Sequence, residues 1–110
     1  ENGLLALNLH DEVIEAISAN LFFFSNKQLY TPDLSQSGVN GIMRQTILHH
    51  YPDTIVKPVS LADLGKADEI LLCNCVMGVM PVSTFNNQSL AVNQVKALQK
   101  SLIKAESLYD

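Results

Sequence analysis

Three segments of this 110-residue chain bring together residue types that can do chemistry. Gly38-Val39-Asn40-Gly41-Ile42-Met43-Arg44 runs from a loop of small polar residues straight into a helical period. The first turn of a helix carries N–H groups without intrahelical acceptors and the positive end of the dipole, which together favour a phosphate. Gly41 lets the backbone approach a ligand closely. The same run also reads as an ordinary loop with Asn40 or Gly41 as N-cap, and Arg44 can equally form a structural ion pair. Glu15 lies in the apolar run Val13-Ile14-Glu15-Ala16-Ile17. A carboxylate there costs free energy unless it is exposed by strand alternation or meets a cationic or protonated partner, such as a pyridinium nitrogen.

The third segment is Cys73-Asn74-Cys75-Val76-Met77-Gly78. A Cys-x-Cys pair suggests metal or redox work, but no second cysteine pair or matching histidine accompanies it, so the expectation is no metal and two buried structural thiols. The turn from Asn74 to Gly78 can instead offer backbone N–H groups to an anion. No Ser/His/Asp triad, paired carboxylates or Walker-type loop is present.

Composition limits the partners. Hydrophobic residues make up 47% and charged residues 16%, enough apolar material for the core of one domain spanning residues 1–110. A net charge of −4, with Arg44 the one arginine, argues against nucleic acid or an anionic membrane. No apolar run approaches the roughly 20 residues of a transmembrane helix, and no signal peptide is visible. A cytosolic, soluble α/β protein is expected.

The elements that must position these residues follow from periodicity. Strands are expected over Gly3–Leu9, Val13–Ile17, Leu21–Phe24 and Gln28–Tyr30, with a hairpin turn at Ser25-Asn26-Lys27 and a stop at Pro32. A helix of about three turns follows Gly41 and ends before Tyr51-Pro52. Thr54–Val59, Ile70–Cys73 and Gly78–Val82 read as strands, and Asn86-Asn87 as a turn. Ser60 and Asp63 form a capping box, with Gly65 as the stop. Val92–Leu108 is an amphipathic helix with Val92, Val95, Leu98, Leu102 and Ile103 inward. Strands at the very start, a helix at the very end and no initiator methionine suggest part of a larger chain.

The order of these segments resembles the fold-type IV pyridoxal-phosphate enzymes, and within them the aminodeoxychorismate lyase branch. The residues that carry it are Val13–Phe22, Tyr30-Thr31-Pro32, Gly38–Gln45, Ala67-Asp68-Glu69-Ile70 and Cys73–Val82, covering nearly the whole chain. The resemblance implies an α/β fold, the C-terminal part of the large cofactor domain, with a mixed sheet or pseudo-barrel and flanking helices. It implies pyridoxal 5′-phosphate as cofactor, a small-molecule substrate and a homodimeric parent. Glu15 would meet the pyridine nitrogen, Val39 would pack on the ring, and the N–H groups of Ile42 and Met43, beside Gly41, would hold the phosphate. The Asn74-Cys75 turn would supply further phosphate contacts, and Val76 and Met77 would face the substrate. Aminotransferase relatives have a hydroxyl residue where this chain has Cys75, which leaves the side-chain contact to Asn74.

The reaction so implied is loss of pyruvate from 4-amino-4-deoxychorismate, giving 4-aminobenzoate for folate synthesis. In this family the Schiff-base lysine lies upstream of the Glu strand, and no lysine precedes Glu15. The chain alone is therefore expected to lack a catalytic residue and the small N-terminal domain. The other readings are a fragment of a branched-chain or D-amino-acid aminotransferase, and a non-catalytic phosphate-binding or assembly module. Leu4, Leu5, Leu7 and Phe22–Phe24 are expected to be left exposed and to drive oligomerisation.

Overall fold

The computed structural model describes residues 7–10, 19–33 and 41–107, with side chains through residue 105. Among them are seven strands, β1 (Leu7–Leu9), β2 (Asn20–Ser25), β3 (Gln28–Thr31), β4 (Ile55–Val56), β5 (Glu69–Asn74), β6 (Gly78–Phe85) and β7 (Gln88–Ser89). Three helices accompany them: α1 (Ile42–His50), α2 (Leu61–Gly65) and α3 (Asn93–Ser107). All seven strands join one mixed sheet in the order β1-β6-β5-β2-β3-β4, with β7 beside the far end of β6. The β1–β6 and β3–β4 pairs are parallel and the others antiparallel. The strand expected over Val13–Ile17 lies outside the described residues.

Alternation along the central strands builds two cores, one on each face. Phe22 and Phe24 of β2, with Leu71 and Cys73 of β5, face Ile47 of α1 and Val95, Leu98 and Leu102 of α3. Phe23, Ile70, Leu72 and Val82 face the opposite way, toward Leu64 of α2 and its flanks Val59 and Ala67. The expectation that Phe22–Phe24 would be exposed is therefore corrected. Their relative exposures are 0%, 4% and 7%, because helices cover one face and the α2 segment the other.

Turn chemistry sets the registers. Asn26 and Lys27 both take positive φ, 51° and 67°, as a two-residue turn matched to strand twist requires. The carboxylate of Asp68 accepts the Asn26 N–H at 2.9 Å, fixing the hairpin to the start of β5. Asn86 and Asn87 repeat the geometry between β6 and β7, at 49° and 69°. At α2, Ser60 and Asp63 make the expected reciprocal capping box. The helix includes Gly65 and is capped by Lys66.

Other expectations need adjustment. The strand expected over Thr54–Val59 shrinks to Ile55–Val56, an edge pair ended where Pro58 would fail to donate. β6 continues past Val82 to Phe85, because its second half pairs with β1 and β7. Ile103 is 67% exposed: Val95, Leu98 and Leu102 set the buried stripe of α3, and Ile103 falls beside it.

Candidate functional site

Among the described residues, no side chain caps the first turn of α1. Gly41 is its N-cap in an extended conformation (φ −67°, ψ 155°), with no side-chain cap and no acidic residue in the first turn. The helical ladder starts only at the Gln45 N–H, which donates to the Gly41 carbonyl at 3.1 Å. The N–H groups of Ile42 and Met43 thus have no acceptor within the helix. Ile42 is exposed, and Met43 packs at the margin of the helix-side core. Asn20, buried at the start of β2, accepts the Gly41 N–H on Oδ1 at 3.3 Å. Arg44 is buried, and its guanidinium donates to the Pro32 carbonyl at 3.2 Å. Gly41 takes the N-cap position read from the sequence, and among the described residues no side chain caps the amides that follow it; Gly38, Val39 and Asn40 lie outside the described residues.

The turn between β5 and β6 is organised by Asn74. Its Oδ1 accepts the Val76 N–H at 3.0 Å and the Met77 N–H at 2.7 Å. Gly78 closes the turn at φ +72°, a conformation in which a Cβ is strained. Two of the amides expected to be open to an anion are therefore taken up within the turn. Val76 and Met77 are instead presented outward, with relative exposures of 93% and 57%.

The two thiols part company. Cys73 is buried and Cys75 exposed, which corrects the expectation of two buried thiols: β5 ends at Asn74, so Cys75 stands in the turn. Burial pushes the Cys73 thiol up to about 12, against the pull of the Arg44 charge and with a small push from Cys75.

The α1 helix and the turn share a cleft of about 630 Å3 with α3. Met43 and Thr46 enter it from α1, Cys75 and Met77 from the turn, and Lys96 and Lys100 from α3. The start of α3 is held by Glu69, a buried carboxylate. Glu69 accepts the Gln94 N–H on both oxygens at 2.9 Å, the Val95 N–H at 3.0 Å and the Gln94 side-chain Nε2–H at 3.0 Å. A buried carboxylate at a helix N-terminus satisfies both its own charge and the orphan amides. Farther along α3, the Gln99 side chain donates to the Val79 carbonyl at 2.7 Å.

Of the residues singled out from sequence, Met43, Cys75, Val76 and Met77 thus line one cleft, with Gly41, Ile42 and Asn74 in the elements beside it. Glu15 and Val39 lie outside the described residues. Sequence reasoning missed Asn20 and Glu69. The signal for Glu69 was of the kind applied to Glu15, a carboxylate next to apolar strand residues, whereas Asn20 gave none beyond its place before the Phe run.

The model for the amino-transferase class IV family matches residues 2–85. An aminodeoxychorismate lyase from Vibrio harveyi is 40% identical over 83 residues, 72% of this chain and 31% of that protein. A probable branched-chain-amino-acid aminotransferase from Synechocystis is 31% identical, over 78% of this chain and 30% of that protein. Among solved structures, 4-amino-4-deoxychorismate lyase from Pseudomonas aeruginosa superposes with a TM-score of 0.70 at 32% identity, covering 76% of this chain and 33% of that one. An aminotransferase from Brucella abortus, solved with the cofactor PLP bound, shares the fold with a TM-score of 0.62 at 23% identity, over 76% of this chain and 32% of that one. The chain spans about a third of the length of these relatives. The mixed sheet with flanking helices is the fold these structures share. A match over most of its length places the chain in the class IV amino-transferase family, the fold-type IV enzymes that depend on pyridoxal phosphate.

Proposed function

We propose that this chain is the C-terminal part of the cofactor domain of a pyridoxal-phosphate-dependent lyase. The lyase releases pyruvate from 4-amino-4-deoxychorismate and leaves 4-aminobenzoate, a step of folate synthesis. The observation that carries the cofactor role is the first turn of α1, which among the described residues has no side-chain cap and no acidic side chain to compete with an anion. The 40% identity to the Vibrio harveyi lyase favours this reaction.

In this reading the Ile42 and Met43 amides hold the cofactor phosphate, and Gly41, seated against Asn20, sets the start of the helix that carries them. The Asn74-Cys75 turn closes the other side of the phosphate. Because Asn74 Oδ1 is occupied by its own turn, Asn74 acts by shaping the backbone around Cys75. Val39 packs against the ring, Glu15 keeps the proton on the pyridine nitrogen, and Val76 and Met77 face the substrate. When bound, the cofactor supplies an electron sink for bonds at the amine-bearing carbon. The lysine that bonds the cofactor and the small domain that covers it belong to the remainder of the protein, a cytoplasmic homodimer. This chain alone is inactive.

A second reading keeps the site and makes the parent an aminotransferase, favoured by the 31% identity to the Synechocystis relative. The full-length, cofactor-loaded protein separates the two. Release of 4-aminobenzoate and pyruvate from aminodeoxychorismate supports the lyase. Amino transfer from a branched-chain or D-amino acid to 2-oxoglutarate, without that release, contradicts it. Glu15→Ala is expected to cripple turnover, and an undiminished variant removes Glu15 from the mechanism.

A further inference from the structure

The cleft between α1, the β5–β6 turn and α3 has a chemistry that the cofactor does not use. Its volume of about 630 Å3 falls within the roughly 300–1,000 Å3 of small-molecule sites. The lining is mostly apolar and includes Met43, Met77, Val79, Leu102 and Ile103. Thioethers of this kind adapt well to a flat ring. Lys96 and Lys100 stand at the cleft from consecutive turns of α3, the i,i+4 spacing that puts two side chains on one face.

The local charge runs against the molecule. Acids outnumber bases 11 to 7 in the chain, yet no Asp or Glu occurs among the described residues lining the cleft. The lysine pair also has a fixed base. Glu69 holds the amides of Gln94 and Val95, directly before Lys96. Gln99, between the lysines, is tied to the Val79 carbonyl. Leu98 and Leu102 of the same helix are buried. Two lysines on a positioned helix face, at a cleft with a mostly apolar lining, match a ligand with one anionic end and a flat apolar body.

We infer that this cleft binds a small aromatic carboxylate, with Lys96 and Lys100 receiving the carboxylate and the apolar lining that includes Met43 and Met77 receiving the ring. The inference deepens the lyase reading, whose product is such an acid, and rests on it only for the identity of the natural ligand. An inorganic anion would leave the apolar walls unused, and a neutral aromatic would leave the lysines unused.

The test uses the full-length protein labelled with 13C at the methionine methyl groups and titrated with benzoate, benzamide or inorganic phosphate. Benzoate is expected to shift the Met43 and Met77 signals saturably and to leave buried Met80 in place. Benzamide and phosphate are expected to bind at least tenfold more weakly. Lys96→Gln/Lys100→Gln should weaken benzoate at least tenfold with the Met80 signal unchanged, whereas Lys104→Gln, which does not line the cleft, should not. Equal binding of benzamide, equal binding by the double variant, or no shift at Met43 and Met77 each overturns the inference. No turnover enters this readout, so its failure leaves the lyase reading intact. Failure of the lyase assay in turn leaves the cleft's affinity for benzoate standing.

Discussion

Asn20 and Gly41 are in contact at the point where the sheet meets α1: Asn20 Oδ1 accepts the Gly41 N–H at 3.3 Å, and a Cβ on Gly41 would lie 2.7 Å from that same oxygen. The contact joins the start of α1 to the start of β2. Gly41 has an ordinary negative φ of −67°, so the requirement for glycine is space, not backbone freedom. Gly41→Ala should therefore displace the buried Asn20 side chain and cost about 1–3 kcal/mol, the range for overpacking a filled site. Asn20→Ala in the same molecule makes room, so the double variant should lose less than the sum of the two. Urea denaturation of the four proteins in the cycle checks this, and strict additivity would falsify the steric account.

Glu69 ties β5 to α3 through one buried carboxylate. Glu69→Gln keeps the shape but turns an amide –NH2 toward amides that need an acceptor. We expect a loss of about 2–3 kcal/mol, the scale for breaking charge-assisted hydrogen bonds in a buried site. Thermal denaturation of the variant measures it. A loss near zero would mean that α3 is held by Val95, Leu98 and Leu102 alone.

Thiol chemistry should distinguish the two cysteines. Native protein is expected to react with a maleimide at Cys75 and to leave Cys73 untouched until unfolding, since Cys73 is buried and its thiol is raised to about 12 from 9.0. Peptide mapping after labelling reads the site. A group whose folded value is raised gives stability that is whole below its unfolded value and declines as pH rises toward the folded one. The Cys73 contribution is accordingly lost between 9.0 and about 12. Cys73→Val should flatten that part of the alkaline stability curve, and an unchanged slope would count against it.

Asp63 behaves in the opposite sense at acid pH. Its hydrogen bonds from the Ser60 backbone and side chain hold the carboxyl below the ordinary 3.8. A depressed value gives stability that is whole above 3.8 and lost as pH falls through the folded value. Asp63→Asn should remove the acid-side fraying of α2, read by amide hydrogen exchange at Leu64 and Ala67 across that range. Exchange with the same acid dependence in both proteins would contradict the capping role.

Much of this was legible because it is local. Asn26-Lys27, Asn86-Asn87, Ser60…Asp63 and Gly41-Ile42 each announce a turn or helix start from adjacent letters, and each forms as read. What could not be read depends on partners distant in sequence. The parallel pairing of Leu7 with Val82 doubles the role of β6, and no local pattern encodes it. Glu69 is explained only by amides 25 residues later. The placement of Ile103 at the cleft depends on how α3 rolls against the sheet, where Val95, Leu98 and Leu102 already complete the buried stripe.

Ile42→Pro probes whether the first amides of α1 hold the cofactor phosphate. Ile42 is the first helical residue, where proline is tolerated. Gly41 at ψ 155° already has the conformation that a following proline demands. The Ile42 side chain is 70% exposed, so the substitution removes one N–H and little else. A hydrogen bond to a charged group is worth about 1.5–3 kcal/mol, so the full-length variant should bind pyridoxal phosphate about ten- to a hundredfold more weakly with an unchanged melting temperature in the absence of cofactor. Binding as tight as that of the unmodified protein, with the fold intact, would remove the Ile42 amide from the phosphate site.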